Sequence, residues 1–253
     1  MARVLSVLAG GVLAVLGAGA VLFLMQRDLL YEPRPGSPAL EAPMLFLSVD
    51  GERIAVNHRA REGARAVVYF AGNGEDVSRV LPVLAPVFPE HALYLLHYRG
   101  YGGSTGKPSE AALFADGLAV FDRAFAEHPE VTVIGRSLGS GVATYVASRR
   151  SVQRLVLVTP FDSIEAVVQG RRPYLPLRWL MLDKYRSWSY AGDVRAPTTV
   201  IAAERDDLVP RERTEALFRH FAPGIAHWVD LPGTNHDNIV DSPAYGAALT
   251  LAR

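Results

Sequence analysis

The chain has 253 residues, with 26 basic and 26 acidic side chains, so its formal net charge is zero. A nucleic-acid-binding protein normally carries a basic excess on one face, and this composition argues against that class. Hydrophobic residues make up 49% and charged residues 21%, which excludes a disordered chain and predicts a packed core. Cysteine is absent, which excludes disulfides, thiolate metal sites and a cysteine nucleophile.

The amino-terminal segment is the first with a recognisable pattern. Between Arg3 and Arg27 lie 23 uncharged residues, which as a helix would extend roughly 35 Å and cover a hydrocarbon core of about 30 Å. We therefore predict a transmembrane anchor over residues 1–27. The alternative is a cleaved signal peptide ending near Ala18-Gly19-Ala20, but the apolar run exceeds the roughly 7–15 residues of such peptides. Arg3 and the terminal amine lie on one side of this run and Arg27 and Arg34 on the other, and we predict an amino terminus inside and the domain outside.

A proline-rich stretch follows the predicted anchor. Four prolines lie between Tyr31 and Pro43 inclusive, which is typical of an extended linker. We predict a linker over residues 28–43 and one large domain over residues 44–253.

Within that domain, apolar runs alternate with helical patterns. The runs predicted as strands are Met44–Val49, Arg53–Asn57, Ala66–Phe70, Ala92–His97, Val131–Ile134, Arg154–Val158, Thr198–Ala202 and Ala226–Leu231. The helical patterns are Glu110–Glu127, Leu138–Arg149, Arg211–Phe221 and Asp237–Leu251. This alternation predicts an α/β fold, with a mostly parallel sheet covered by helices on both faces. The Asp50-Gly51 turn predicts an antiparallel hairpin at one edge.

The strongest chemical signal is Gly135-Arg136-Ser137-Leu138-Gly139, which follows an apolar strand and precedes a helix. A serine hydroxyl becomes a useful nucleophile when a sharp strand-to-helix turn exposes it, and small neighbours permit the strained backbone of that turn. The helix that follows directs free N–H groups toward developing negative charge. The alternative is an ordinary turn serine, which the position of the motif argues against. We predict Ser137 as the nucleophile.

A nucleophilic serine requires a base and an orienting carboxylate, both expected downstream. His220 falls within a helical pattern and His227 within a strand, whereas His236 lies in a loop after the last strand. His236 is therefore the predicted base. The carboxylate is Asp206 or Asp207, and position alone leaves the two open. The histidines that precede the serine, predicted to be surface or structural residues, are His58, His91, His97 and His128.

Acyl transfer also needs two donors for the carbonyl oxygen. One predicted donor is the backbone N–H of Leu138, the residue after the serine. The other lies in Ala71-Gly72-Asn73-Gly74, where glycines let the backbone approach the site, and we choose the N–H of Asn73. The alternative for this loop is an ordinary glycine turn.

The order of nucleophile, acid and base, with an elbow after a central strand, resembles the α/β-hydrolase superfamily. Further motifs are similar to those of the membrane-anchored α/β-hydrolase-domain proteins, which resemble serine aminopeptidases. These motifs are Gln26–Pro33, His97–Glu110, Pro160–Ile164 and Asp183–Ser187. The resemblance covers nearly the whole chain and implies the α/β-hydrolase fold. The group includes protein depalmitoylases and lysophospholipases, so it implies an acyl or lipid-type substrate.

The resemblance also assigns individual residues. Its acid is the first Asp of a Gly-x-x-Asp-x-x-Val-Pro pattern, which favours Asp206 over Asp207, and its histidine follows a Gly-x-x-His spacing that ends here at His236. Two positions depart from the pattern. Ala71 replaces the usual histidine of the oxyanion loop, and Ala203 replaces the usual glycine before the acid.

The segment 164–192 is rich in bulky and basic residues and resembles a small cap over the active site. Its apolar side chains would line an acyl pocket and its cations would face lipid headgroups. The alternative is a helix packed on the sheet edge with a solvated basic face. A partial phosphate-loop pattern ending at Lys107 lacks its first glycine, since Tyr101 occupies that position. We expect no cofactor and no metal.

Together these patterns predict a single-pass membrane protein whose catalytic domain lies outside the cytoplasm. The predicted activity is that of a serine hydrolase that cleaves a carboxylic ester or thioester with a small-molecule or lipid acyl group. Two alternatives remain: a serine peptidase of the aminopeptidase type, and a noncatalytic membrane-anchored scaffold that keeps the fold for interaction.

Overall fold

A single sheet forms the centre of the protein in the computed structural model, which describes residues 17, 19–21, 23–34, 43–174 and 176–251. Within those residues the strands are β1 (Met44–Val49), β2 (Glu52–Arg59), β3 (Arg65–Phe70), β4 (Ala92–Leu96), β5 (Glu130–Arg136), β6 (Arg154–Val158), β7 (Thr198–Arg205) and β8 (Ala226–Asn235). Their order across the sheet is β1-β2-β4-β3-β5-β6-β7-β8. Strands β3 to β8 run parallel, whereas β1 and β2 form an antiparallel hairpin at one edge. The predicted α/β class is confirmed.

The parallel strands are apolar because helices cover both of their faces. Residues Val67 to Phe70 of β3 have no exposed surface, and neither does any residue of β4. The edge strand β1 instead alternates between exposed and partly buried residues, as expected where one face meets solvent. Its hairpin turn has positive φ at Asp50 (51°) and Gly51 (80°), which a two-residue turn between twisted strands requires.

Helices occupy most of the connections. In the described residues they are α1 (residues 23–30), α2 (Val77–Val87), α3 (Glu110–Glu127), α4 (Leu138–Arg149), α5 (Ile164–Arg171), α6 (Leu177–Leu180), α7 (Trp188–Ala191), α8 (Arg211–Phe218) and α9 (Tyr245–Thr250), with a 3-10 helix at Asn238–Asp241. Helix α3 lies close against α4 because Gly117 has no side chain. A Cβ at that position would lie 2.7 Å from Val142 Cγ1.

The helices differ from the predicted pattern at α2, at α5 to α7 and at the last predicted helix, and proline accounts for the first and the last of these differences. Helix α2 was not predicted, since it contains Pro82 and Pro86, each of which removes a backbone donor inside the helix. Its packing against α9 and the capping of Ser78 N–H by the Asp76 side chain (3.0 Å) support it nonetheless. The helix predicted over Asp237–Leu251 is two helices, because Pro243 separates the 3-10 helix from α9.

Helix α1 ends against the domain. Arg27 forms an ion pair with Asp183, in which Nε and Oδ2 are 2.8 Å apart. Tyr31, which follows the helix, is 2% exposed, and its hydroxyl lies 2.8 Å from the Tyr185 hydroxyl. The end of α1 and the residues after it therefore pack on the segment between β6 and β7.

The predicted anchor over residues 1–27 falls largely outside the described residues. In the described part of the chain, no helix is both long enough and apolar enough to cross a membrane. The anchor therefore stays a prediction. Of the predicted linker over residues 28–43, residues 28–30 continue α1 and Tyr31 is buried, while residues 35–42 lie outside the described residues.

Candidate active site

Loops from four strands meet at the carboxyl-terminal edge of the sheet. Phe70 of β3 pairs with Gly135 of β5, so the loops that follow these strands leave the sheet side by side. Arg205 of β7 pairs with Asn235 of β8, beyond a register shift in β7, and the residues that follow them are also neighbours. This edge is where ligand sites form in parallel α/β sheets.

The elbow (Gly135–Gly139) holds Ser137 between β5 and α4. Its φ of 49° and ψ of −117° belong to a region that residues with a side chain rarely adopt. The glycines at both ends are required by close packing. A Cβ on Gly135 would lie 2.6 Å from Ala143 Cβ, and one on Gly139 would overlap the backbone of β3. The local sequence therefore determines the shape of this turn.

The predicted nucleophile, base and acid form one hydrogen-bonded row. His236 Nε2 lies 3.0 Å from Ser137 Oγ, and His236 Nδ1 lies 2.8 Å from Asp206 Oδ2. The other oxygen of Asp206 accepts backbone hydrogen bonds from Leu208 (2.9 Å) and Val209 (2.6 Å). The three contacts of the Asp206 carboxylate hold it in one orientation toward the imidazole.

The alternative acid, Asp207, is not part of this row. Its side chain is exposed, and its backbone carbonyl accepts a hydrogen bond from Arg171 Nη2 (2.8 Å). The side chain of Asp206 is only 5% exposed. The structure thus brings Asp206, and not Asp207, to His236.

The row can transfer a proton. When Nδ1 donates to Asp206, Nε2 of a neutral His236 is free to accept the proton of Ser137 Oγ, and the carboxylate then stabilises the imidazolium. Ser137 and His236 are 9% and 6% exposed. A proton transfer within this row would therefore take place where water is mostly excluded and electrostatic interactions are strong.

The two predicted oxyanion donors lie in backbone next to the serine. Leu138 is the first residue of α4, so its N–H has no acceptor within the helix. The oxyanion loop (Ala71–Glu75) passes close by, since a Cβ on Gly72 would lie 3.6 Å from Ser137 Cβ. Asn73 follows directly. Both predicted donors therefore belong to segments that border Ser137.

The side chain of Asn73 ties the oxyanion loop to the chain that follows α1. Its Nδ2 donates to the Leu30 carbonyl (2.8 Å), and its Oδ1 accepts from the Tyr101 hydroxyl (2.9 Å) and the Glu32 N–H (3.2 Å). Residues at the start of the predicted linker (28–43) therefore support the candidate site directly, which the sequence did not predict.

Two more residues of the site were not predicted, namely Glu75 and Arg136. Arg136 Nη1 lies 2.9 Å from Glu75 Oε1, and the side chains are 12% and 13% exposed, respectively. Burial lowers the pKa of Arg136, but the charge of Glu75 and nearby tyrosines outweigh burial and raise that pKa above its ordinary value. A charged residue between a buried strand and a buried helix must find a partner. The charge of Arg136 within the motif was therefore the one feature of the sequence that could have indicated a buried ion pair here.

The site opens into a cavity of about 200 Å³. Its lining consists of Arg171, Asp207, Leu208, Asn235, His236 and Asp237. A second cavity, of about 530 Å³, shares Arg171 and Asp207 with the first and extends along α5 between Val167 and Arg213. Because α5 belongs to the predicted cap over residues 164–192, that segment borders the site.

The histidines that precede the serine make contacts elsewhere in the fold. Buried His97 Nε2 lies 2.7 Å from Asn57 Oδ1, and His128 Nδ1 lies 2.8 Å from the Gly63 carbonyl oxygen. Burial lowers the pKa of His97 to about 4. Across the described ranges, no group of three or more His, Asp or Glu side chains is arranged to hold a metal ion.

Comparisons with known proteins agree with this architecture. The sequence profile of the α/β-hydrolase fold matches residues 66–181. An uncharacterized protein of Mycobacterium tuberculosis is 33% identical over 247 residues, which cover 90% of this chain and 86% of that protein. Lysophosphatidylserine lipase of Macaca fascicularis is 33% identical over 147 residues, which cover 50% of this chain and 37% of the lipase.

A solved structure supports the fold independently of sequence. Est1E of Butyrivibrio proteoclasticus, determined with bound ferulic acid, superposes with a TM-score of 0.68 at 16% identity, over 81% of this chain and 96% of Est1E. The parallel sheet, the elbow at the end of β5 and these matches together show that the chain belongs to the α/β-hydrolase superfamily.

Proposed function

We propose that this α/β hydrolase is a serine hydrolase that cleaves a carboxylic ester or thioester of an acyl chain. The observation that carries the proposal is the row of Ser137, His236 and Asp206, with successive distances of 3.0 Å and 2.8 Å. A nucleophile within hydrogen-bond reach of a base, and a base held by a carboxylate, are the groups that acyl transfer through serine requires.

The first half-reaction makes an acyl-enzyme. Ser137 Oγ attacks the carbonyl carbon while His236 Nε2 takes the hydroxyl proton and Asp206 stabilises the imidazolium. The carbonyl oxygen becomes an oxyanion, which the N–H groups of Leu138 and Asn73 stabilise. Collapse of this intermediate breaks the bond to the alcohol or thiol, which leaves with the proton from His236.

The second half-reaction restores the enzyme. His236 takes a proton from water as the water oxygen attacks the acyl carbonyl carbon. The bond to Ser137 Oγ then breaks, His236 returns the proton to the serine, and the carboxylic acid leaves. Besides the substrate, both half-reactions use only side chains and backbone N–H groups of this chain, together with water.

Several observations favour a lipid-type acyl substrate. One relative carries the name lysophosphatidylserine lipase. The cap segment (164–192) exposes large apolar side chains, including Trp179 (76%) and Leu182 (51%), and it also contributes Arg171 to the lining of the cavity. Apolar and cationic side chains together suit acyl chains and anionic headgroups.

Matched substrates would separate the chemical classes. We compare an ester, a thioester and an amide that carry the same acyl group. The amide should be hydrolysed more slowly than the ester and the thioester. Faster hydrolysis of an amide with a free α-amino group would favour the aminopeptidase alternative.

We further propose that residues 1–27 anchor the protein in a membrane, with the catalytic domain outside the cytoplasm. The support is the uncharged run before Arg27 and the exposed apolar side chains of α1, such as Leu24 (79%) and Leu29 (64%). The full chain should then stay in the membrane fraction after alkaline and high-salt washing, because a buried apolar helix does not depend on screened charge. Release into the soluble fraction would contradict the anchor.

Protease added outside intact cells should digest the domain, and full protection would reverse the orientation.

A fluorophosphonate probe tests the enzymatic proposal directly. The full chain should be labelled, and Ser137→Ala should not, because the probe reacts with an activated serine. Ser148→Ala is a matched control on α4, since Ser148 Oγ donates to the Tyr145 carbonyl (2.7 Å) and lies outside the row. Labelling of Ser137→Ala would move the nucleophile elsewhere. No labelling of the full chain would favour the noncatalytic scaffold.

A further inference from the structure

The ion pair of Glu75 and Arg136 links the elbow to the oxyanion loop and to the loop that carries His236. Arg136 is the residue before Ser137, and its Nη1 is 2.9 Å from Glu75 Oε1. Neither side chain is more than 13% exposed. A cation next in sequence to the proposed nucleophile and the carboxylate paired with it are therefore both removed from most of the solvent.

Glu75 holds the oxyanion loop. Its Oε2 accepts the Gly72 N–H (2.7 Å) and the Tyr69 hydroxyl (3.0 Å), and its own N–H donates to the Gly72 carbonyl (3.2 Å). These bonds fix the peptide groups on both sides of Gly72, the second of which carries the Asn73 N–H. Since Asn73 is the next residue, the direction of its N–H depends on how Gly72 is held.

Arg136 holds the loop that carries the base. Its Nη2 donates to the backbone carbonyl of His236 at 3.0 Å, while Nη1 of the same guanidinium faces Glu75. A guanidinium presents donors in a rigid planar fork, so one side chain can bind two acceptors in a set geometry. The carboxylate, the guanidinium and the His236 carbonyl therefore connect the loops after β3, β5 and β8.

We propose that Glu75 and Arg136 are positioning residues, which set the oxyanion loop and His236 in register with Ser137 through one buried ion pair. This inference rests on the proposed serine-hydrolase function. Replacing a buried ion pair by apolar residues is often neutral for stability or even favourable. Stability alone therefore does not explain a buried charge pair here. Its contacts with the oxyanion loop and with the loop that carries His236 do explain it.

The test measures kcat and KM on a short soluble ester, per folded enzyme, with the folded fraction read from circular dichroism. Glu75→Gln and Arg136→Met should each lower kcat by about 100-fold, the scale of a displacement near 1 Å in an active site, with KM little changed. Arg136→Lys keeps the charge and loses the fork, so it should not restore kcat. This third variant also keeps the test decisive if a neutral variant folds poorly.

A matched control is available on the surface. Arg150→Met breaks an ion pair with Asp122. The Arg150 side chain, at the end of α4, is 37% exposed, and that of Asp122, in α3, is 50% exposed. Its kcat should equal that of the parent. The double variant Glu75→Gln/Arg136→Met should lose less than the product of the single losses, because both substitutions break the same connection.

The pH–rate profile supplies a measurement that a merely structural role would not change. Glu75→Gln leaves the cation of Arg136 uncompensated beside the His236 loop, which opposes a second positive charge on the imidazole, so the acid limb should move to lower pH. Arg136→Met leaves the anion instead and should move the acid limb to higher pH. The charged groups that face His236 in both variants are unchanged: Asp206, and Asp207, Asp237 and Arg171 in the adjoining cavity.

The outcomes separate this inference from the function beneath it. If the parent is active and the folded variants keep kcat within about threefold, the positioning role is overturned while the serine-hydrolase proposal stands. Shifts of both acid limbs in the same direction would overturn it as well. If the parent hydrolyses no ester, thioester or amide and takes up no fluorophosphonate, the proposed function fails, and the positioning role fails with it.

Discussion

The elbow and the oxyanion loop border the same serine, yet different parts of the chain hold them. The elbow is shaped by its own residues, because a side chain on Gly135 or Gly139 would collide with the backbone or with α4. The oxyanion loop is held by residues that are remote in sequence, including Leu30, Tyr98 and Arg136. A local motif therefore encodes the proposed nucleophile, whereas the completed fold positions the proposed oxyanion donors. Substitutions in the two regions should differ accordingly in size and in kind.

The largest loss is expected at the elbow. Ser137→Ala removes the nucleophile and should lower kcat on a short soluble ester by about a million-fold, as seen where a comparable triad was dissected. The remainder of the site is intact, so this variant should still bind a substrate-like inhibitor. Comparable turnover in Ser137→Ala and the parent would show that another group attacks the carbonyl.

The acid should come next. Asp206→Asn should lower kcat by about ten-thousand-fold, because an amide at this position favours the wrong tautomer of His236. Asp207→Asn is the matched control, since that side chain is exposed and lies next in sequence. A larger loss at Asp207 than at Asp206 would reverse the assignment.

The difference between the two regions also explains what the sequence could reveal. All eight strands and the elbow were predicted, since their signals are apolar runs and a short motif. The choice of Asp206 over Asp207 needed family resemblance, because the pairing of Arg205 with Asn235 that selects it is a property of the sheet. The order of β4 outside β3 has no local signal for the same reason.

Other features were missed because they depend on tertiary contacts. Helix α2 contains two prolines that local propensity counts against a helix, and packing against α9 compensates. The contact of Asn73 with Leu30 joins residues 43 positions apart, and that of Arg136 with Glu75 joins residues 61 apart. A proline-rich composition after Tyr31 indicated an extended linker, whereas burial of Tyr31 was visible only in the fold.

The oxyanion loop should respond to changes in its remote supports. Asn73→Ala retains the backbone N–H but loses the bonds to Leu30, Glu32 and Tyr101, and it should lower kcat by roughly 10- to 100-fold as the loop shifts. Tyr101→Phe loses one hydroxyl and should have the smaller effect. Steady-state kinetics on a short ester would measure both. A parent-like kcat in Asn73→Ala would show that the loop is held without this side chain.

The pH dependence should be shared by the two regions, since one imidazole serves both. His236 must be neutral to accept the serine proton, so kcat/KM on a soluble ester should fall as the pH is lowered. Asn73→Ala should scale the whole profile down and leave its midpoint in place, because it changes no charge. A rate that stays flat from about pH 5 to 8, with acylation limiting, would remove His236 from the role of base.

The smallest effect is expected on the free energy of unfolding, through His97, which lies near the support of the oxyanion loop. His97 is buried against Asn57 at the end of β4, next to Tyr98, whose hydroxyl donates to the Ala71 carbonyl (2.8 Å). Burial lowers the pKa of His97 to about 4 in the folded protein, below its ordinary value near 6.5. Between those values the unfolded chain binds a proton that the folded chain does not, so the free energy of unfolding should fall as pH drops from about 6.5 to about 4. The loss should be at most on the order of 3 kcal/mol.

Burial also lowers the pKa of His58 and His91, so the informative quantity is the difference between the parent and His97→Gln in urea unfolding across that range. His97→Gln should show the shallower decline, and equal slopes would mean that His97 does not contribute to it. Because the elbow depends on glycine packing and contains no histidine, mild acid should weaken the support of the oxyanion loop before it affects the turn that holds Ser137.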